Sequence, residues 1–203
     1  SKPTMKAAVA AFTIISALAS GASAQVSMPP QEHGPNQQMF VHGAPQVQSE
    51  GWTIAAGGRI YDNWWMALDR DKPEGTNPAY PASAEQSGPG TYRCKECHGW
   101  DYQGAEGIYS KGSHFTGIKG VMGVSGQPPE SIVATLRDVN HPYTREMITD
   151  DEMLRVATFL SKGLVDMSTF INYETRQVIP GSGDLDRGRE IFQTTCAACH
   201  GFD

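Results

Sequence analysis

All four cysteines of this 203-residue chain fall in one repeated pattern, Cys94-Lys95-Glu96-Cys97-His98 and Cys196-Ala197-Ala198-Cys199-His200, each followed by glycine. Every use of these thiols has to account for a histidine directly after each pair. A structural zinc site sets its two C-x2-C pairs about 15–20 residues apart, and Cys97 and Cys196 stand far beyond that. A thioredoxin-like C-x-x-C needs a βαβ setting, and no such pattern is visible around either pair. Disulfides suit an exported protein but do not call for the histidines. Composition narrows the field further. With 22 Gly and 13 Pro the chain favours loops over long regular elements. A net charge of −6 argues against nucleic acid as a partner, because phosphate contacts need clustered Lys and Arg. No run of 18 apolar residues occurs, so no transmembrane segment is expected.

The spacing that remains, C-x-x-C-H, reads as an attachment site for c-type haem. Two thiols three residues apart reach the two vinyl groups of one porphyrin as thioethers, and the adjacent histidine becomes the proximal iron ligand. This assigns Cys94, Cys97, Cys196 and Cys199 to the cofactor, haem c, and His98 and His200 to its metal. A permanently bound group suits an exported protein that cannot rebind a lost one.

Residues 1–24 have the layout of an export signal. Lys2 and Lys6 precede an apolar stretch over 7–19, and Ala22-Ser23-Ala24 forms a small-residue cleavage site ahead of Gln25. Residues Ser1 to Thr4 stand upstream of the expected start at Met5. Residues 25–50 are rich in Gln, Pro, Gly and Ser, too poor in large apolar side chains to offset the entropy of ordering, and read as a flexible tether. His33 and His42 within it are expected to be solvated tail residues.

Order is expected from Gly51. Ile60, Tyr61, Trp64, Trp65 and Leu68 form one broad face of a helix over 54–68. That face packs a core, covers a large flat apolar ligand, or does both. Four prolines make 69–90 a loop, a second helix is predicted over 128–139 with proline in its first turn, and a third begins at Thr149 with the capping box Thr149-x-x-Glu152. Met153, Val156, Ala157 and Leu160 recur at helical spacing before Gly163 ends it. No alternating strand pattern stands out, so the fold class is all-α with long loops. A weak internal repeat aligns Gly57-Gly58-Arg59-Ile60-Tyr61 with Gly188-Arg189-Glu190-Ile191-Phe192, each ahead of a C-x-x-C-H.

On the stretches Cys94 to Trp100 and Gly188 to Gly201, helped by the helix over 150–162, the chain resembles a dihaem c-type cytochrome built from class I cytochrome c domains. The resemblance implies an N-terminal helix containing Asn63 that crosses a C-terminal helix containing Leu154 beside the haem. It implies a first domain over 51–178 and the start of a second over 184–203. Because the chain stops at Asp203, the second domain is expected to be truncated and its haem pocket incomplete. In this family the distal ligand is usually a methionine shortly before the C-terminal helix, though histidine also occurs. His141 has the usual spacing and Met147 the usual residue type; Met122 and His114 are weaker candidates. The implied function is electron transfer in the periplasm, as a carrier or as the electron-transfer subunit of an oxidoreductase, with redox proteins as partners. The alternative is a catalytic haem enzyme, of peroxidase or sulfur-compound oxidase type, in which one iron keeps an open position.

Overall fold

Ser49 starts the first helix, α1 (Glu50–Ala67), by accepting the Trp52 N–H on its hydroxyl at 3.1 Å. The computed structural model describes residues 44–201, all within one unit, Gln37–Asp203. The expected export signal, His33, His42 and most of the tether lie outside the described residues. The helix thus opens four residues before Ile54, where the sequence predicts it, taking in Glu50 from the stretch read as tether, and ends one residue short of Leu68. It is kinked at Asn63, whose backbone leaves the helical region (φ −159°, ψ 93°). The Asn63 side chain accepts the Met66 N–H at 3.4 Å, so this residue acts as the N-cap of the last turn.

After a loop through residue 88 come a short 3₁₀ turn, Pro89–Tyr92, and α2 (Cys94–His98), which is the first C-x-x-C-H motif itself. α3 (Pro129–Leu136) is shorter than the 128–139 the sequence predicts. Asp138 folds the chain out of the helix by accepting the Asn140 N–H at 2.8 Å, which leaves Val139 in solvent. α4 (Asp150–Lys162) has both halves of the capping box, three acidic residues in its first turn, Lys162 in its last, and Gly163 as its C-cap.

α1 and α4 pack against each other and carry the core. Ile60, Tyr61 and Trp64 from α1 meet Met153, Val156, Ala157, Phe159 and Leu160 from α4, with Ile132 of α3 and Ile148 closing the cluster. Their close approach depends on Gly57, where a Cβ would lie 2.6 Å from the Arg155 carbonyl carbon and 2.8 Å from Phe159 Cβ. Most of the aromatic face on α1 is therefore core.

Beyond α4 the chain forms a two-residue hairpin the sequence did not announce, β1 (Ile171–Asn172) antiparallel to β2 (Gln177–Val178). Two residues per strand are too few to show alternation. α5 (Leu185–Ile191), capped by Asp184, then runs through a π-helical turn, Phe192–Cys196, into α6 (Ala197–His200). The fold is mostly helical with little strand. Among the described residues no helix is long and apolar enough to cross a membrane.

Candidate haem site

The first C-x-x-C-H motif is fastened to α1 on two sides. Tyr61 Oη donates to the Gly99 carbonyl at 2.7 Å, Arg93 Nε donates to the Asp62 carbonyl at 2.8 Å, and Lys95 pairs with the Asp62 carboxylate. The loop that follows is organised by Asp101, which has no exposed surface. Its carboxylate accepts the Ile108 N–H at 2.7 Å and the Gln103 N–H at 3.4 Å, so this buried charge is satisfied by backbone. The loop returns through an isolated antiparallel bridge between Gly104 and Lys119. Gly104 has φ +56°, and a Cβ there would sit 2.5 Å from the Lys119 carbonyl carbon, so this close approach needs glycine.

The bridge delivers the Lys119 carbonyl to His98, 2.8 Å from Nδ1. A carbonyl only accepts, so the proton is on Nδ1 and Nε2 is left as the free donor atom. Burial lowers the pKa of His98, keeping the imidazole in the neutral form that binds a metal. Burial also pushes the Cys94 thiol up to about 11 and the Cys97 thiol up to about 12, the neighbouring Cys94 adding to the latter. Both are therefore neutral thiols at neutral pH, and neither is in a disulfide.

Opposite His98 stands His141. The two ring centroids are 6.2 Å apart and the planes are inclined by 21°. His141 Nδ1 is also engaged, donating to Asp138 Oδ1 at 2.9 Å, so its Nε2 too is free. The loop that carries His141 is held from two directions. Arg137, at the end of α3, donates to the carbonyls of Tyr143 at 3.0 Å and Ile148 at 2.7 Å, and to Asp150 Oδ1 at 3.0 Å. Tyr143 Oη donates to the Tyr92 carbonyl at 2.9 Å, two residues ahead of Cys94, and burial beside Cys94 keeps this phenol firmly protonated.

The other sequence candidates go elsewhere. Met147 packs against the core, its carbonyl accepts from Arg70, and it lines an open hollow with Trp64, residues 69–73 and Glu146. His114 Nδ1 is 2.7 Å from Glu96 Oε1, and Tyr109 stacks on its ring with centroids 4.8 Å apart. Met122 lies in a 3₁₀ turn, Met122–Val124. Cys196 ends the π-helical turn, while Cys199 and His200 are exposed on α6. The structure thus sets His141 beside His98 of the Cys94–His98 motif, while Met147 opens on the hollow it shares with Trp64 and the second motif lies on its own helix. Sequence reasoning missed Lys119, whose role is played by a backbone carbonyl, and Asp138, whose spacing of three residues before His141 is a usable signal.

The donor set fits a covalently held haem. Two thiols one turn apart and an imidazole with its proton fixed on Nδ1 are the groups that attachment of haem c requires, and the His141 ring lies beside that imidazole. Tyr80 Oη, close to Glu96 and Cys97, is buried without a hydrogen-bond partner among the described residues. Such an orphaned polar atom is what a polar ligand edge would satisfy.

No protein-family model matches the chain, and no solved structure does. Among curated proteins it is similar to a "Cytochrome c-553-like" protein of Synechocystis sp., 49% identical over 39 residues. The match covers 18% of this chain and 37% of that protein, so the chain spans little more than a third of the relative's length.

Proposed function

We propose that the protein is a c-type cytochrome that transfers electrons through haem covalently attached at Cys94 and Cys97, with His98 as the proximal and His141 as the distal ligand. The observation that carries this reading is the pair of imidazoles held 6.2 Å apart, each with Nδ1 anchored and Nε2 free. The partial match to a cytochrome c-553-like protein supports the same family of chemistry.

When bound, the haem supplies a one-electron iron couple. The chain's own residues hold it and limit what it does. Lys119 and Asp138 fix the tautomers of the two ligands. Arg137 and Tyr143 pin the distal loop, which keeps His141 across from His98 and so denies small molecules an open coordination position. This favours an electron carrier over the catalytic alternative, in which one axial position stays open.

Cys196, Cys199 and His200 are the attachment residues of a second haem in the same reading, and a redox protein in the periplasm is the partner. After co-expression with a cytochrome c maturation system, the protein should stain for haem in denaturing electrophoresis. The reduced spectrum of the first site should be unchanged by CO. A colourless protein with stoichiometric zinc overturns the reading; a CO-binding first haem turns it to the catalytic one.

A further inference from the structure

The two candidate axial histidines are held by unlike partners. His98 donates to the neutral carbonyl of Lys119 at 2.8 Å, whereas His141 donates to a carboxylate, Asp138 Oδ1, at 2.9 Å. The Asp138 turn does not need that contact for its own closure. Its Oδ1 already accepts the Asn140 N–H at 2.8 Å, and its carbonyl accepts the His141 N–H at 3.0 Å. Nor is the charge used elsewhere. Among the described residues His141 is its only ion-pair partner, and the adjacent Arg137 pairs with Asp150 instead. A carboxylate behind a ligating imidazole draws on the Nδ1 proton and makes Nε2 a stronger donor, which favours the more highly charged metal state.

Resting on the reading of His141 as distal ligand, we propose that Asp138 is the positioning residue for that ligand and sets the first haem's potential low. Its carboxylate holds His141 in the Nδ1-protonated tautomer and strengthens Nε2 toward ferric iron. The couple is Fe(III) plus one electron to Fe(II), the electron supplied by a redox donor protein. No bond to His141 breaks, and the proton stays on Nδ1. The Asp138 side chain is 38% exposed, so solvent screens its charge and the effect belongs at the weak end of the range for such outer contacts, about tenfold in ligand affinity.

The test uses the full haem-loaded chain with the second motif silenced by Cys196→Ala and Cys199→Ala, and compares it with the same chain carrying Asp138→Asn. The amide keeps an oxygen for the Asn140 N–H but removes the charge. Both forms should be low-spin, and Asp138→Asn should raise the midpoint potential at fixed pH by about 59 mV, the one-electron equivalent of a tenfold loss confined to the ferric state. Equal potentials in two low-spin bis-histidine forms overturn the role of Asp138 and leave His141 as ligand. A high-spin or CO-binding parent overturns the ligand assignment itself. Should Asp138→Asn fail to load haem, the parent protein still decides the point by NMR of the reduced form. The Nδ1 proton of His141 should then lie downfield of that of His98, and the reverse order contradicts the proposal.

Discussion

At the scale of single residues, the site is a matter of which nitrogen carries a proton. His98 and His141 are useful as a pair only because each has Nδ1 occupied, one by a carbonyl and one by a carboxylate. Met147 has the residue type most often found opposite the proximal histidine in the family the chain resembles, yet it is half-buried against the core, beside an open hollow, and its carbonyl accepts from Arg70. The two substitutions should therefore separate cleanly. His141→Ala should convert the first haem to a high-spin, CO-binding form, while Met147→Ala should leave its spectrum low-spin and cost only core packing. Visible spectra of the reduced proteins with and without CO check this. The residue types at the motif were legible in the sequence because the chemistry dictates them. The choice between His141 and Met147 was not, because spacing and residue type pointed in opposite directions; what favours His141 is its ring beside that of His98, a contact the sequence does not announce.

At the scale of elements, the α1–α4 contact determines whether the motif has anything to lean on. Gly57→Ala gains helix propensity of about 1 kcal/mol. It also drives a methyl group into the Arg155 carbonyl, and overpacking of that kind costs about 1–3 kcal/mol. A backbone obstacle cannot swing aside, so the net effect should be destabilising, seen as a lower denaturant midpoint. Gly58→Ala, facing only the Phe159 ring edge at 3.1 Å, should be milder. The N-terminus of α4 carries a second prediction. Burial opposes the ionisation of Glu152, but the Arg70 guanidinium and the Thr149 cap outweigh it and hold its pKa below 4.5. A depressed carboxylate contributes stability above its unfolded pKa and loses it as the pH falls through the folded value. Glu152→Gln should thus lower stability at neutral pH and flatten the fall below about pH 4.5, as followed by urea melts across pH. This helix was almost wholly legible in the sequence, since its cap, its apolar spacing and its terminating glycine are local signals. The kink at Asn63 and the hairpin over 171–178 were not. The first looks like any helical asparagine until its cap contact is seen, and the second is too short to carry a period.

At the scale of the whole molecule, the two motifs differ in their surroundings. Around Cys94 and Cys97 the chain supplies a packed pair of helices, a returning loop and a fastened distal loop. Around Cys196 and Cys199 it supplies one capped helix, and Ile191 and Phe192, the counterparts of buried Ile60 and Tyr61, are exposed. If each motif holds its own haem, Cys94→Ala with Cys97→Ala should remove one equivalent and Cys196→Ala with Cys199→Ala the other, counted by haem absorbance per chain. If residues 51–178 fold as a unit, a chain ending at Val178 should still load one low-spin haem.

The central claim is that His98 and His141 together close both axial positions of the first haem. Low-temperature electron paramagnetic resonance of the oxidised full chain carrying Cys196→Ala and Cys199→Ala tests it most directly. The account predicts a single rhombic low-spin ferric signal that His141→Ala replaces with an axial high-spin one. A high-spin signal in the protein with His141 intact, or a low-spin signal that survives His141→Ala, contradicts it.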